Sequence, residues 1–428
     1  MPDRRSLQAF HPFARLNRLL DAFPPGSPAG DPAAQPILLS IGEPKNQPPA
    51  FVAEEITKAA ASWSNYPPPR GTEDYRAACT DWLNRRYRLP AGLLDPATNI
   101  LPLPGSREGL FFAVLAAVQD HAQKNGEGAG PPVILMPNPF YHVYAGSAVA
   151  MGAEPVFVAA TAETGFMPDY QALDPATLER AVFCFLNSPA NPQGSAADLD
   201  YLTRLIALAR KHDFIVGFDE CYAEIYGATP PAGALEAAAA QGGALDHVLV
   251  FHSLSKRSSA PGLRCGFVAG DKRLIDGLDM ALRIGGAGVS LPILAAGARL
   301  WREEAHVEEN RDYYRRNFAL AERILGNRFG FRKPDGGFFL WLDVGDGEAA
   351  ALKLWREAGV RVVPGAYMCV ADAEGFNPGA RYIRVALVYD SAVTEEALNR
   401  IVGVLGNDEA AGSISSPAGG PRTAALEG

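Results

Sequence analysis

A lysine among small hydroxyl side chains is the first feature of this sequence that could do chemistry. Ser253 and Ser255 precede Lys256, Arg264 follows it, and the segment 248–270 begins and ends in apolar runs typical of buried strands. Two hydroxyls and a guanidinium suit a phosphate or a carboxylate. Lys256 can be an ordinary surface lysine, but the flanking buried strands, the hydroxyls and Arg264 make that interpretation less favourable. The segment therefore predicts an anion site that includes Lys256.

Four other motifs fit the sequence poorly. Residues 253–256 satisfy S-x-x-K, the pattern of penicillin-binding enzymes, but the S-D-N and K-T-G segments which that chemistry needs do not occur. The glycine-rich segment 285–291 has Leu291 where G-x-G-x-x-G requires its third glycine, so a nicotinamide-binding fold is not supported. The sequence also contains neither a P-loop nor H-E-x-x-H.

Short apolar runs that alternate with amphipathic stretches predict the elements that position these groups. The candidate strands are 133–136, 154–158, 182–186, 215–219, 248–251 and 266–269, and helical stretches at 106–121, 198–212 and 271–283 separate several of them. Such alternation predicts an α/β fold with a mostly parallel sheet between helices. Polar residues follow three strands, at 187–191, 219–222 and 253–256. Chemistry in such sheets gathers at the carboxyl ends of strands, which is where these clusters lie.

Composition excludes several partners. The chain has 428 residues, 48% of them hydrophobic, and a net charge of −9 without a basic block, so we expect no nucleic acid partner. No apolar run approaches the ~20 residues of a membrane-spanning helix, and the first residues lack the apolar core of a signal peptide. The five cysteines are scattered and form no C-x-x-C pair, so we expect neither a disulfide framework nor a metal site, and a cytoplasmic location.

Seven segments resemble, in the same order, motifs of the class I and II pyridoxal-phosphate-dependent aminotransferases. They are NYPPPRG (65–71), GSREGL (105–110), NPFY (138–141), NSPANPQG (187–194), DECY (219–222), SLSKRSSAPGLRCG (253–266) and YIRVAL (382–387). The resemblance extends over roughly residues 35–400. It departs from the family pattern at Gln193, where threonine is commoner, and at Cys221, where valine or isoleucine is frequent. Neither change removes a catalytic group.

The resemblance implies pyridoxal phosphate as the cofactor and assigns roles to the residues of these motifs. Lys256 would carry the cofactor as a Schiff base, and Asp219 would pair with its pyridinium nitrogen. Tyr222 and Asn191 would bond its phenolic oxygen. Tyr141 would stack on the ring, with Phe140 as the alternative. The phosphate would be held at the start of a helix and from the lysine segment by Gly105, Ser106, Arg107, Ser253, Ser255 and Arg264.

The resemblance also implies how substrate binds and how the chain assembles. Arg384, an arginine within a strand pattern, would bind the substrate α-carboxylate in a bidentate pair, and Gly42 and Asn191 would face the same carboxylate. Tyr66 resembles the tyrosine that reaches the phosphate of the neighbouring subunit. We therefore expect a homodimer whose active site needs both chains.

The fold implied is that of fold type I, a large domain with a seven-stranded, mostly parallel sheet and a smaller α+β domain. We expect residues 1–48 to form an N-terminal arm and part of the small domain, 49–290 the large cofactor-binding domain, and 291–406 the small C-terminal domain. A long helical stretch is predicted at 295–328 and a further helix near 348–358. Residues 407–428 lack periodicity and bulky apolar side chains, which predicts a disordered tail.

The segments LSIGEPKNQPPAF (39–51) and 251–271 are most similar to the succinyldiaminopimelate aminotransferases of bacterial lysine biosynthesis. This resemblance implies glutamate as the amino donor and N-succinyl-2-amino-6-oxopimelate as the acceptor. The distal carboxylates of that acceptor would need further basic groups, for which Lys45, Arg70 and Arg107 are candidates. The alternatives are another class I aminotransferase, of aspartate, aromatic or kynurenine type, and a C–S β-lyase on the same scaffold.

Overall fold

The computed structural model describes residues 10–28, 31, 33–125 and 130–412 of the chain. The helices are α1 (Pro12–Leu20), α2 (Phe51–Lys58), α3 (Glu73–Tyr87), α4 (Ser106–Asn125), α5 (His142–Ala150), α6 (Pro175–Arg180), α7 (Leu199–His212), α8 (Ala234–Ala240), α9 (Leu254–Arg257), α10 (Lys272–Gly285), α11 (Leu291–Arg302), α12 (Ala305–Leu325), α13 (Gly347–Ala358) and α14 (Ser391–Gly412). The strands are β1 (Ile37–Leu38), β2 (Ile100–Leu103), β3 (Val133–Asn138), β4 (Glu154–Ala159), β5 (Ala181–Asn187), β6 (Ile215–Asp219), β7 (Val248–Ser253), β8 (Gly266–Gly270), β9 (Phe339–Asp343), β10 (Val360–Arg361), β11 (Val363–Pro364) and β12 (Tyr382–Ala386).

Seven strands form the central sheet in the order β2-β8-β7-β6-β5-β3-β4. The neighbours from β7 to β4 are parallel, whereas β8 runs antiparallel to both β7 and β2. This confirms the predicted α/β fold with a mostly parallel sheet. All six candidate strands form, each within two residues of its predicted ends. The seventh strand, β2, was not predicted.

Helices cover both faces of this sheet, as the continuous apolar strands require. One face packs on α4, α5 and α10 through buried residues such as Leu110, Tyr144 and Leu278. The opposite face packs on α3, α7, α8 and α11, with Trp82 and Trp301 among its buried side chains. None of the described helices combines the length and the apolar composition of a membrane-crossing segment.

The C-terminal part of the chain has its own antiparallel sheet, β11-β12-β9, which packs with α12, α13 and α14 around a separate core. The N-terminal strand β1 joins this part by pairing with β10, and its residue Ile37 lies in the same core. The division into 1–48, 49–290 and 291–406 stays a proposal. Helix α11, in the third range, packs on the seven-stranded sheet.

The single helix predicted at 295–328 is wrong, because the structure has two helices there. Glu303 adopts an extended conformation that ends α11. Its carboxylate then accepts hydrogen bonds from the backbone N–H groups of Ala305 (2.9 Å) and His306 (3.1 Å), which supplies partners for the first turn of α12. The last helix, α14, continues to Gly412, and residues 413–428 of the predicted tail lie outside the described residues.

Candidate active site

A cavity of about 370 Å³ opens at the carboxyl ends of β5, β6 and β7. Its walls carry all the residues predicted to bind the cofactor or the substrate α-carboxylate except Gly105, Asp219 and Tyr66. Gly105 and Asp219 do not line the cavity themselves, but Ser106, the residue after Gly105, and Cys221, two residues after Asp219, do. Tyr66 is 99% exposed and does not reach the cavity of its own chain. The structure thus brings together residues from segments that are far apart in the sequence.

Lys256 lies in α9, a single helical turn at the end of β7. The hydroxyl of Ser253 caps this turn by accepting a hydrogen bond from the Ser255 N–H at 3.2 Å. The Lys256 amine donates to the carbonyl oxygen of Gly42 at 2.5 Å. Burial, assisted by the positive charges of Arg384 and Arg107, lowers the pKa of Lys256 from 10.5 to about 8. A lysine in this environment has a large neutral fraction near pH 8, as an amine nucleophile or base requires.

Asp219 ends β6 and is buried. The Tyr144 hydroxyl donates to its Oδ2 at 2.8 Å, and the Cys221 backbone N–H lies 3.4 Å from its Oδ1. Burial raises the pKa of Asp219, while the hydrogen bonds from Tyr144 and Cys221 act in the opposite direction. Sequence reasoning missed Tyr144. The available signal was its position three residues after Tyr141, which is about one helical turn.

The end of β2 and the start of α4 form an anion-binding corner with Arg264. Gly105 has φ +92, and a Cβ there would lie 2.2 Å from the Arg264 Nη2. Arg264 donates to the Pro104 carbonyl at 2.8 Å and pairs with Glu108 at 3.0 Å. A residue larger than glycine would therefore displace this guanidinium. Ser106 begins α4, so the backbone N–H groups of its first turn face the same corner.

Tyr141 and Phe140 occupy different environments. Tyr141 is partly exposed on the cavity wall, and its hydroxyl accepts a hydrogen bond from the Arg107 Nε at 2.7 Å. Phe140 is buried and packs against Phe157, with ring centroids 4.9 Å apart. This difference favours Tyr141 as the ring that stacks on a cofactor.

Arg384 is a buried cation on the wall of the same cavity. Its Nη1 donates to the Asn191 Oδ1 at 3.1 Å and its Nη2 to the Ser40 carbonyl at 2.6 Å. Its Nε has no hydrogen-bond partner among the described residues, and burial lowers the pKa of Arg384 to about 10. Its guanidinium lies 4.4 Å from the ring centroid of Phe339. A Cβ at Gly42 would lie 2.4 Å from the same ring, so only glycine fits beside it. A carboxylate in the cavity would add a charged partner to this guanidinium.

The remaining predicted residues are placed as follows. Tyr222 is buried on the cavity wall, with its ring edge-on to Phe338 at 5.4 Å. Arg70 does not line the cavity, because its guanidinium binds Asp276 and Asp279. Lys45 pairs with Glu43 at 3.1 Å and lies outside the cavity wall, although Glu43 itself lines it. Arg107 is the one candidate for a distal carboxylate that lines the cavity.

The donor set fits pyridoxal phosphate. Ser106, Ser253, Ser255 and Arg264 offer hydroxyls and charge to a phosphate, and the glycine at 105 leaves room for the arginine. Lys256 supplies the amine and Asp219 a buried carboxylate. Bound there, the cofactor supplies an electron sink for the substrate carbanion.

Comparisons with known proteins identify the family and the fold of the chain. The sequence model of the family described as aminotransferase class I and II matches residues 34–401. The LL-diaminopimelate aminotransferase of Nitratidesulfovibrio vulgaris is 30% identical over 377 residues, which cover 85% of this chain and 90% of that protein. A crystal structure of an aminotransferase from Neisseria meningitidis superposes with a TM-score of 0.85 at 37% identity, covering 92% of this chain and 97% of the other. The aminotransferase AspB of Helicobacter pylori superposes with a TM-score of 0.83 at 35% identity, covering 93% and 98%.

Proposed function

The chain belongs to the class I and II aminotransferases, which use pyridoxal phosphate, and from that premise we propose its substrate. It transfers an amino group between glutamate and the diaminopimelate skeleton, in the N-succinylated form, as a step of lysine biosynthesis in the cytoplasm. The relatives named LL-diaminopimelate aminotransferases support the skeleton. They also make unmodified LL-diaminopimelate the second candidate.

The charge of the residues that line the cavity distinguishes the two candidate substrates. Arg107, Lys256, Arg264 and Arg384 line the cavity, and Glu43 is the carboxylate among its lining residues. The distal end of LL-diaminopimelate bears an ammonium and a carboxylate, so its net charge is zero. The succinylated end replaces that ammonium with an amide and adds a second carboxylate, which Arg107 can bind. Lys256 and Arg264 serve the cofactor and Arg384 the α-carboxylate, so the charge of Arg107 favours the succinylated substrate.

The site residues have separate tasks in this proposal. Arg384 and Asn191 hold the α-carboxylate beside the reacting carbon, and Lys256, as a neutral amine, moves the proton at that carbon. Asp219 keeps a negative charge against the cofactor nitrogen. Tyr222 orients the groups around the Lys256 amine.

The test compares kcat/KM for N-succinyl-LL-diaminopimelate and LL-diaminopimelate, each with 2-oxoglutarate, and includes aspartate, tyrosine and kynurenine. We expect the succinylated substrate to exceed every other by at least about tenfold, which corresponds to about 1.4 kcal/mol. A tenfold advantage of LL-diaminopimelate would establish the second candidate. Pyruvate release from cystathionine would indicate a β-lyase.

Two variants test the role of Arg107. Arg107→Gln should lower kcat/KM for the succinylated substrate more than for LL-diaminopimelate. Lys45→Gln is the matched control, because Lys45 lies near the cavity without lining it. Equal losses on both substrates in Arg107→Gln would show that Arg107 serves the cofactor alone.

The proposed homodimer rests on Tyr66. The side chain of Tyr66 is 99% exposed, and that of Trp63, three residues before it, is 56% exposed. Large aromatic side chains this exposed in one chain favour an interface at which a second copy covers them. In the dimer the Tyr66 hydroxyl would bond the partner's cofactor phosphate. Tyr66→Phe should weaken retention of pyridoxal phosphate without changing the sedimentation coefficient. A monomeric wild-type protein with full activity would contradict the proposal.

A further inference from the structure

Asn310 is a buried amide on α12 whose four hydrogen-bonding positions are all used. Its Nδ2 donates to the backbone carbonyls of Lys256 (2.9 Å) and Arg257 (3.1 Å). Its Oδ1 accepts from the Ser259 hydroxyl (2.9 Å) and from the Asn46 Nδ2 (2.6 Å). Because carbonyl oxygens only accept hydrogen bonds, the two backbone contacts fix which end of the amide faces them. The Asn310 amide is thus fully satisfied, which fixes its position, whereas the Oδ1 of its partner Asn46 is buried without a hydrogen-bond partner among the described residues.

These contacts join Lys256 to the loop 42–46 at both ends of the residue. At the side-chain end, the Lys256 amine donates to the Gly42 carbonyl at 2.5 Å. At the backbone end, Asn310 holds the Lys256 carbonyl and also accepts a hydrogen bond from Asn46 of the same loop. The amide thus ties the reactive lysine to the loop that covers its amine.

We propose that Asn310 is a positioning residue that fixes Lys256 relative to the loop 42–46 and so keeps the lysine amine dehydrated and aimed at the reacting carbon. The proposal rests on the role of Lys256 in the proposed function. Without the amide, the carbonyl of Lys256 and the loop lose their common partner. The amine is then less restricted by the loop and more hydrated than in the wild type, and hydration favours its protonated form.

The experiment measures the holoenzyme of Asn310→Ala in two ways. The pH midpoint of the visible cofactor band should rise by roughly half a unit or more, since hydration stabilises the cationic nitrogen at Lys256. The kcat should fall by about 10- to 100-fold, the size expected when a catalytic group is misplaced by about 1 Å. The KM of the amino donor should change little, because Asn310 does not touch the substrate cavity.

Asn317→Ala is the matched control. Asn317 is buried on the same helix and donates to two backbone carbonyls, those of Leu387 (3.2 Å) and Tyr389 (2.8 Å), away from the cavity. The Asn317→Ala substitution should lower the melting temperature and leave the pH midpoint of the visible cofactor band unchanged. An equal shift of the midpoint in both variants, or a wild-type midpoint and kcat in Asn310→Ala, overturns the proposal.

Asn46→Ala provides a second measurement that does not depend on a buried substitution, since Asn46 is only partly buried. It cuts the loop from the amide, so the midpoint should rise in the same direction and kcat should fall. If the pH midpoint of the band and the kcat of Asn46→Ala equal those of the wild type, the proposed coupling of Lys256 to the loop is wrong. This result is decisive even if Asn310→Ala does not fold. A visible band that persists unchanged in Lys256→Ala refutes instead the assignment of Lys256, which separates the two failures.

Discussion

Replacing Lys256 by methionine should stabilise the cofactor-free protein at neutral pH, although it removes the reactive amine. The pKa of Lys256 is lowered from 10.5 to about 8 by burial. Between these values the unfolded chain keeps the proton that the folded chain releases, so folding stability rises with pH across this window. Below pH 8 Lys256 is protonated in both the folded and the unfolded chain, and the buried charge lowers the free energy of unfolding by its full amount. Above 10.5 both are neutral and the destabilisation has vanished.

The magnitude follows from the size of this window. Each pKa unit corresponds to about 1.4 kcal/mol, so the buried ammonium costs the folded chain about 3 kcal/mol at pH 7. Methionine also forfeits the hydrogen bond to Gly42, which contributes about 1 kcal/mol. Lys256→Met should therefore be more stable than the wild type by about 2 kcal/mol at pH 7. It should be slightly less stable above pH 10.5.

The assay is urea unfolding of both cofactor-free proteins at several values between about pH 7 and about pH 11, which spans the two pKa values. Lys211→Met is the control, because it makes the same substitution at an exposed lysine at the end of α7, outside the cavity. The diagnostic result is a gap between wild type and Lys256→Met that narrows as pH rises and changes sign. A constant gap, or a wild type that is more stable at pH 7, would refute the reasoning.

Three further predictions concern other residues of the site. Tyr144→Phe should remove the hydrogen bond to Asp219 and slow single-turnover proton transfer by about 10- to 100-fold, because hydrogen bonds to charged groups contribute about 1.5–3 kcal/mol; an unchanged rate would contradict this. Arg384→Lys should raise the KM of both amino donor and oxo acid, measured by initial rates, since an ammonium cannot form the bidentate pair; an effect on one substrate alone would argue against a shared carboxylate site. Gly105→Ala should weaken cofactor retention in equilibrium dialysis, whereas Gly92→Ala, at φ +80 with open space around its Cβ, should alter stability alone.

The strands and the strand-end polar clusters could be predicted because both depend on local sequence. Continuous apolar runs identify buried parallel strands, and the residues after them lie at the carboxyl edge of the sheet. The strand β2 was missed because Pro102 in its middle argues against a strand. In the structure β2 is the edge of the sheet and pairs with β8 only, where a missing N–H is tolerated.

Tyr144 and Asn310 could not be found in the same way. Tyr144 reaches Asp219 only because α5 packs on the sheet with that face inward, 75 residues away in sequence. Asn310 lies 54 residues from Lys256, within a helix rich in charged residues where one more polar side chain gives no signal. Arg70 shows the reverse error, since a basic residue within a recognised motif bonds to α10 rather than facing the cavity.

The three central ionisable groups of the site share one electrostatic feature. Burial lowers the pKa of Lys256 and of Arg384 and raises that of Asp219, so at each position the fold disfavours the charged form. A substrate carboxylate reverses this for Arg384, because it adds a charged partner to a guanidinium whose present acceptors, the Asn191 side chain and the Ser40 carbonyl, are neutral. A ligand that binds the folded chain but not the unfolded chain stabilises the fold by about 4 kcal/mol when its concentration is a thousand times the dissociation constant. The burial that destabilises the cofactor-free chain is therefore also what makes it respond strongly to its anionic ligands.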